Sequence, residues 1–125
     1  MRRRFDHIDL RVPDLEAARP FYETLLPALG FTRNAGVEGW LQFEANDGEI
    51  TEFFGVTGSC AHVPNENRIA FWAESNDLVD HLADVARKAG AHTMEGPMQY
   101  EPGYYAVFFK DAWGNRLEIC HRVRP

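Results

Sequence analysis

Apolar and polar residues alternate with a period of two over residues 5–12, FDHIDLRV. Ile8, Leu10 and Val12 therefore share one face, and Phe5, His7, Asp9 and Arg11 the other. This predicts a half-buried strand with an unusually polar open side. The next segment, PDLEAARPFYETLLPALG, changes period. Leu15, Ala18, Tyr22, Leu25 and Leu26 recur at helical spacing, Asp14 stands where an N-cap belongs, and Gly30 stands where the helix should close. Pro20 and Pro27 predict a kink or an irregular last turn. Short strands are expected near 31–35, 40–44 and 50–56, divided by turns bearing Gly, Asn and Asp. The first half thus reads β-α-β-β-β.

The second half repeats this order. RIAFWA predicts a strand, SNDLVDHLADVARKAG an amphipathic helix, and further strands are expected near 91–95, 104–109 and 116–122. Aligning IDL of the first half with IAF of the second sets Arg68 opposite His7. The count from His7 to Thr32 then equals that from Arg68 to Thr93. Matching ITEFFG to RLEICH sets Glu52 opposite Glu118. A repeat of this size is one supersecondary unit duplicated so that each copy buries the other's open face. The expectation is an α+β fold in one domain, 1–125, of two tandem βαβββ modules. They span 5–56 and 67–122, with a Gly-, Ser- and Pro-bearing linker at 57–66. The stretch EGPMQYEPGYY reads as a loop able to cover a cavity.

At 125 residues and 45 % hydrophobic, the chain suffices for one domain with a real core and not for two independent ones. A net charge of -6, with no basic run beyond Arg2, Arg3 and Arg4, gives no footprint for nucleic acid. No stretch reaches the length of a membrane span, so a soluble, cytoplasmic protein without a membrane partner is expected. Cys60 and Cys120 form no disulfide framework or zinc pattern and read as reduced thiols. His62, His81, His92 and His121 read as linker, helix-surface or strand-end residues. Aromatic residues make up 13 % of the chain, which is enough for some to line a cavity; Trp40, Phe54, Trp72, Tyr104, Tyr105 and Phe108 are candidates, with Cys120 as a small wall residue.

Two carboxylates stand out. By alternation Glu52 shares a face with Ile50 and Phe54, and Glu118 with Arg116 and Cys120. A carboxylate in an apolar strand is expensive to bury unless a cation or hydrogen bonds meet it. If the two sheets curl toward one another, His7, Glu52, Arg68 and Glu118 converge.

The combination of DHIDLRVPDLEAARPFYETLLPALGFT with YYAVFFKDAWGNRLEIC resembles the vicinal oxygen chelate superfamily. That group includes glyoxalase I, bleomycin and fosfomycin resistance proteins, extradiol dioxygenases and methylmalonyl-CoA epimerase. The resemblance implies a concave mixed sheet with helices on its outer face, often completed in a homodimer. It also implies a divalent metal held by the first and last strands of each module, which here would be His7, Glu52, Arg68 and Glu118. Arg68 cannot ligate, because its guanidinium stays protonated and has no free lone pair. Two site chemistries stay open at this point. In one, His7, Glu52 and Glu118 hold one divalent ion (zinc, nickel, manganese or iron). In the other, no metal binds because Arg68 itself supplies the positive charge. A second departure is DAWGN, with Ala112 and Trp113 where D-P-D-G-N is common in the family.

The expected function is a glyoxalase I-like lyase or isomerase acting on a small oxygenated or carbonyl-bearing molecule. Glu118 or Glu52 would be the base, and a metal or Arg68 would stabilise the oxyanion. The alternative is a protein of the bleomycin-resistance type that binds and sequesters a small molecule without chemistry.

Overall fold

Helix α1 (Leu15–Ala28) begins where Asp14, in extended backbone, accepts the N–H of Ala17 at 3.3 Å. It buries Leu15, Ala18, Phe21, Tyr22, Leu25 and Leu26 on one stripe. Pro20 and Pro27 both lie within the helix, and its end is closed by Leu29, whose N–H reaches the carbonyls of Leu25 and Leu26. Gly30 follows at φ +107°. The structure, a computed structural model, describes residues 3–48 and 50–124; of the basic run at 2–4, Arg2 lies outside them.

Around α1 stand β1 (His7–Val12), β2 (Arg33–Asn34), β3 (Trp40–Asp47) and β4 (Ile50–Gly58), in the sheet order β1-β4-β3-β2. β1 and β4 run parallel and the other neighbours antiparallel. The second module has β5 (Arg68–Trp72), α2 (Asn76–Ala89), β6 (His92–Glu101), β7 (Tyr104–Lys110) and β8 (Arg116–Arg122), in the equivalent order β5-β8-β7-β6. Each module is therefore a βαβββ unit with its own mixed four-stranded sheet. The chain divides into two compact units at residues 63 and 64. None of the helices among the described residues is long and apolar enough to cross a membrane.

In α2, Ser75 Oγ accepts the N–H of Leu78 at 3.0 Å, and Gly90 takes the left-handed conformation at φ 112° that ends the helix. Val79, Leu82, Ala83 and Ala86 form its buried stripe.

Two expectations need correction. Thr57 and Gly58 belong to β4, with Gly58 opposite Val12, so the linker starts later than residue 57. Most of EGPMQYEPGYY is strand, not loop: β6 runs to Glu101, and a turn through Pro102 and Gly103 leads into β7. Register shifts between His92 and Glu95, and again between Glu95 and Met98, let the strand absorb Gly96 and Pro97.

Candidate functional site

The open face of the second sheet, away from α2, is fixed by register. Across β5, β8 and β7 the rows read Arg68, Arg116, Lys110; then Ala70, Glu118, Phe108; then Trp72, Cys120, Ala106. Arg122 and Tyr104 form a fourth row. Leu117 and Ile119 point the other way and are fully buried.

Glu118 is 6 % exposed, and the Tyr104 hydroxyl donates to its Oε2. The Arg122 guanidinium lies 3.9 Å over the Tyr104 ring and is ion-paired with Glu101 at 3.5 Å. Burial pushes the Tyr104 phenol well above its ordinary 10.0, the hydrogen bond and charge of Glu118 push it further, and Arg122 pulls against them. Burial raises the Cys120 thiol as well, and Glu118 adds to the shift, so this thiol is no ready nucleophile.

A pH dependence follows. Above about pH 10 the unfolded chain loses the Tyr104 proton while the folded chain keeps it, so stability falls as pH rises through that range. Tyr100 and Tyr105 are raised too and act in the same sense. Denaturant midpoints measured from about pH 9 to about pH 11 should fall, and Tyr104→Phe should make the fall shallower. Parallel slopes for the two proteins would contradict this.

Arg68 lies on the Glu118 face, with its guanidinium 4.7 Å over the ring of Phe108, the residue directly opposite Glu118. No ion pair joins Arg68 to a carboxylate among the described residues. A cleft of about 360 Å³ in this module lies at the start of α2, between Glu74, Asp77, Gln99, Tyr104, Tyr105 and His121; neither Arg68 nor Glu118 lines it.

In the first module the register separates the two candidate ligands. His7 stands opposite Phe53, and the two rings stack with centroids 4.3 Å apart, while His7 Nδ1 lies 2.7 Å from Asp6. Glu52, one residue before Phe53, falls on the other strand face with Phe54 and Val56, and pairs with Arg3 at 2.7 Å. Counting from the parallel strand pairs, the position matching Glu118 is Gly55. Trp40 packs over it: a Cβ there would sit 3.3 Å from Trp40 Nε1. Matching ITEFFG to RLEICH therefore misplaces the repeat by three residues on this strand.

Two pocket candidates lie elsewhere: Phe54 in the core of the first module, and Tyr105 on the wall of the cleft at the start of α2. Phe54 is fully buried, with ring centroids 6.3 Å from both Tyr22 and Phe31. Tyr105 donates to Asp80 of α2 at 2.5 Å. Trp72, 61 % exposed, and Cys120 lie on the Glu118 face with Tyr104 and Phe108, and Trp40 lies on the open face of its own sheet. Sequence reasoning missed Phe53, Tyr100, Lys110 and Arg122. Alternation from Glu118 reaches Arg122, but Lys110 and Tyr100 require the hairpin registers.

A sequence profile of the Glyoxalase/Bleomycin resistance protein/Dioxygenase superfamily matches residues 4–119. The chain belongs to this superfamily. Solved structures agree. A glyoxalase/bleomycin resistance protein from Albidiferax ferrireducens is 25 % identical, with TM-score 0.77, covering 94 % of this chain and 98 % of its own. The fosfomycin resistance protein FosX from Mesorhizobium loti, 22 % identical with TM-score 0.65 and coverage of 98 % and 95 %, shares the fold. No curated protein matches the sequence significantly.

The metal that superfamily likeness implies can be tested on the donors. Of the four positions, Arg68 offers no lone pair. Glu52 leaves the His7 face for Arg3, and His7 stacks on Phe53 where a second ligand would be needed. Among the described residues no group of three His, Cys, Asp or Glu side chains is placed to hold an ion. This donor set does not fit a divalent cation held in the family manner.

Proposed function

We propose that this superfamily member is a glyoxalase-like lyase or isomerase that binds a small oxygenated or carbonyl-bearing molecule over the Glu118 face of the second sheet. Glu118 is the general base, removing a proton beside a carbonyl or assisting the opening of an activated ring, and Arg68 stabilises the oxyanion that develops. The observation that carries this reading is the placement of Arg68. It lacks a carboxylate partner among the described residues, and its guanidinium carbon lies 4.7 Å from the centroid of the Phe108 ring, in the row of Glu118. A planar guanidinium resting against a ring offers directed donors to an oxyanion. Tyr104 is a positioning residue, since its hydroxyl holds one oxygen of Glu118 in place.

The test is a panel of thiol adducts of 2-oxoaldehydes and of small epoxides, assayed with EDTA and with added nickel, zinc, manganese or iron(II). Turnover should be indifferent to both treatments, because Arg68 is a permanent cation. Activity lost to chelation and restored by one of these metals would show that Arg68 is not the electrophile. A second reading, binding without chemistry, is favoured by the cluster of Tyr100, Tyr104 and Phe108, in which the Tyr100 ring centroid lies 6.1 Å from that of Tyr104 and 5.1 Å from that of Phe108. Tight binding of a panel member that stays chemically unchanged would select it.

A further inference from the structure

Three cations meet at one end of the second sheet. Arg68 of β5 stands opposite Arg116 of β8, which stands opposite Lys110 of β7, so the row is contiguous across three strands. Like charges on directly opposed strand positions repel. Elsewhere six arginines have a carboxylate partner: Arg3, Arg11, Arg19, Arg33, Arg87 and Arg122. These three cations have none among the described residues, in a chain of net charge -6.

The row does not lie on a flat surface. Arg68, Lys110 and Arg116 line a cleft of about 210 Å³ together with Thr93, Glu95 and Phe108. Thr93 is the one non-glycine residue with positive φ among the described residues, at 52°. A β-branched side chain disfavours that conformation, and such strain is held where the surrounding structure demands it. Here it marks the first register shift of β6, beside the cleft.

We infer that this cleft binds a dianionic oxyanion group of the phosphate type, carried by the small molecule the protein handles. Three cations face the single carboxylate within the cleft, Glu95, while Glu66 borders an adjoining cleft with Lys110 and Arg116, so the lining stays net positive for an anion to balance. Arg68 and Arg116 offer forked donors, and Lys110 adds a point charge. An anion held there would place the rest of the molecule along the Phe108 ring, toward Glu118 opposite it. The inference rests on the small-molecule reading above for what carries the anion. Direct binding of the anion does not depend on turnover, so the two can fail separately.

Inorganic phosphate is the probe, titrated into the full chain near neutral pH at low salt and followed by amide chemical shifts. Shifts should concentrate at residues 68, 93–95, 108–110 and 116. Lys110→Gln and Arg116→Gln should each weaken phosphate roughly tenfold, as loss of a charge-assisted contact does. Glu95→Gln should tighten it, a change of opposite sign that keeps the test decisive if one cation variant folds poorly. Arg87→Gln, which removes a charge from α2 paired with Asp84, should leave phosphate binding as it was. Acetate should bind more weakly than phosphate. The inference fails if both cation variants keep wild-type affinity, if shifts spread as for general salt, or if acetate matches phosphate.

Discussion

Glu118→Gln is expected to lower turnover by roughly 10²- to 10⁴-fold while the protein stays folded, on the proposed assignment of Glu118 as base. The amide has nearly the shape of the carboxylate, and its carbonyl oxygen can still accept the Tyr104 hydroxyl. What disappears is the capacity to take a proton. The loss should therefore fall on kcat with KM little changed, and thermal unfolding should stay near that of the parent. Glu118→Ala is a poorer probe, because it leaves the half-buried Tyr104 hydroxyl without its acceptor and destabilises the sheet for unrelated reasons. A Gln variant with unaltered kcat on any substrate found would dismiss Glu118 as the base.

Phe54→Ala should destabilise the protein by about 3–5 kcal/mol, lowering its melting temperature by roughly 10–20 °C. The side chain has no exposure. It pairs across strands with Phe43, which is also buried, and its ring meets Tyr22 and Phe31. Truncation removes a ring from a close-packed interior that can collapse only in part. If Phe54 lined a ligand cavity, the change would cost far less and would instead weaken ligand binding. Calorimetry on this variant decides between the two, and a loss below about 1 kcal/mol would return Phe54 to the cavity wall.

The plan of the fold was legible because it rests on periodicity. Alternation in IDLRV, the helical stripe from Leu15 to Leu26, the Ser75 cap and the duplicated order all survive in the structure. Glu118, Arg68, Phe108 and Tyr104 were named as candidates from the sequence, but that they share one sheet face follows only from the registers of β5, β8 and β7. Glu52 was not. Its face depends on the offset between two parallel strands joined by a long crossover, and no local pattern sets that offset. A shift of one residue there exchanges Glu52 for Phe53 opposite His7. The β6 hairpin was misread for a related reason: Gly96, Pro97 and Gly103 signal a loop, while the bulges that keep them within a strand follow from pairing with β7.

The turn between β7 and β8 has a practical consequence. Buried Asp111 accepts the N–H groups of Trp113 and Asn115 at 3.0 and 2.9 Å and the Asn115 side-chain amide at 2.7 Å. Lys110 and Arg116 flank this clamp on either side, so one carboxylate sets the span between them. Trp113 enters the clamp through its backbone N–H, and Ala112 beside it is exposed. Randomising 112 and 113, with proline barred from 113, would thus re-tailor the rim while the gauge between the two basic anchors stays put. That makes the hairpin tip a natural place to engineer selectivity.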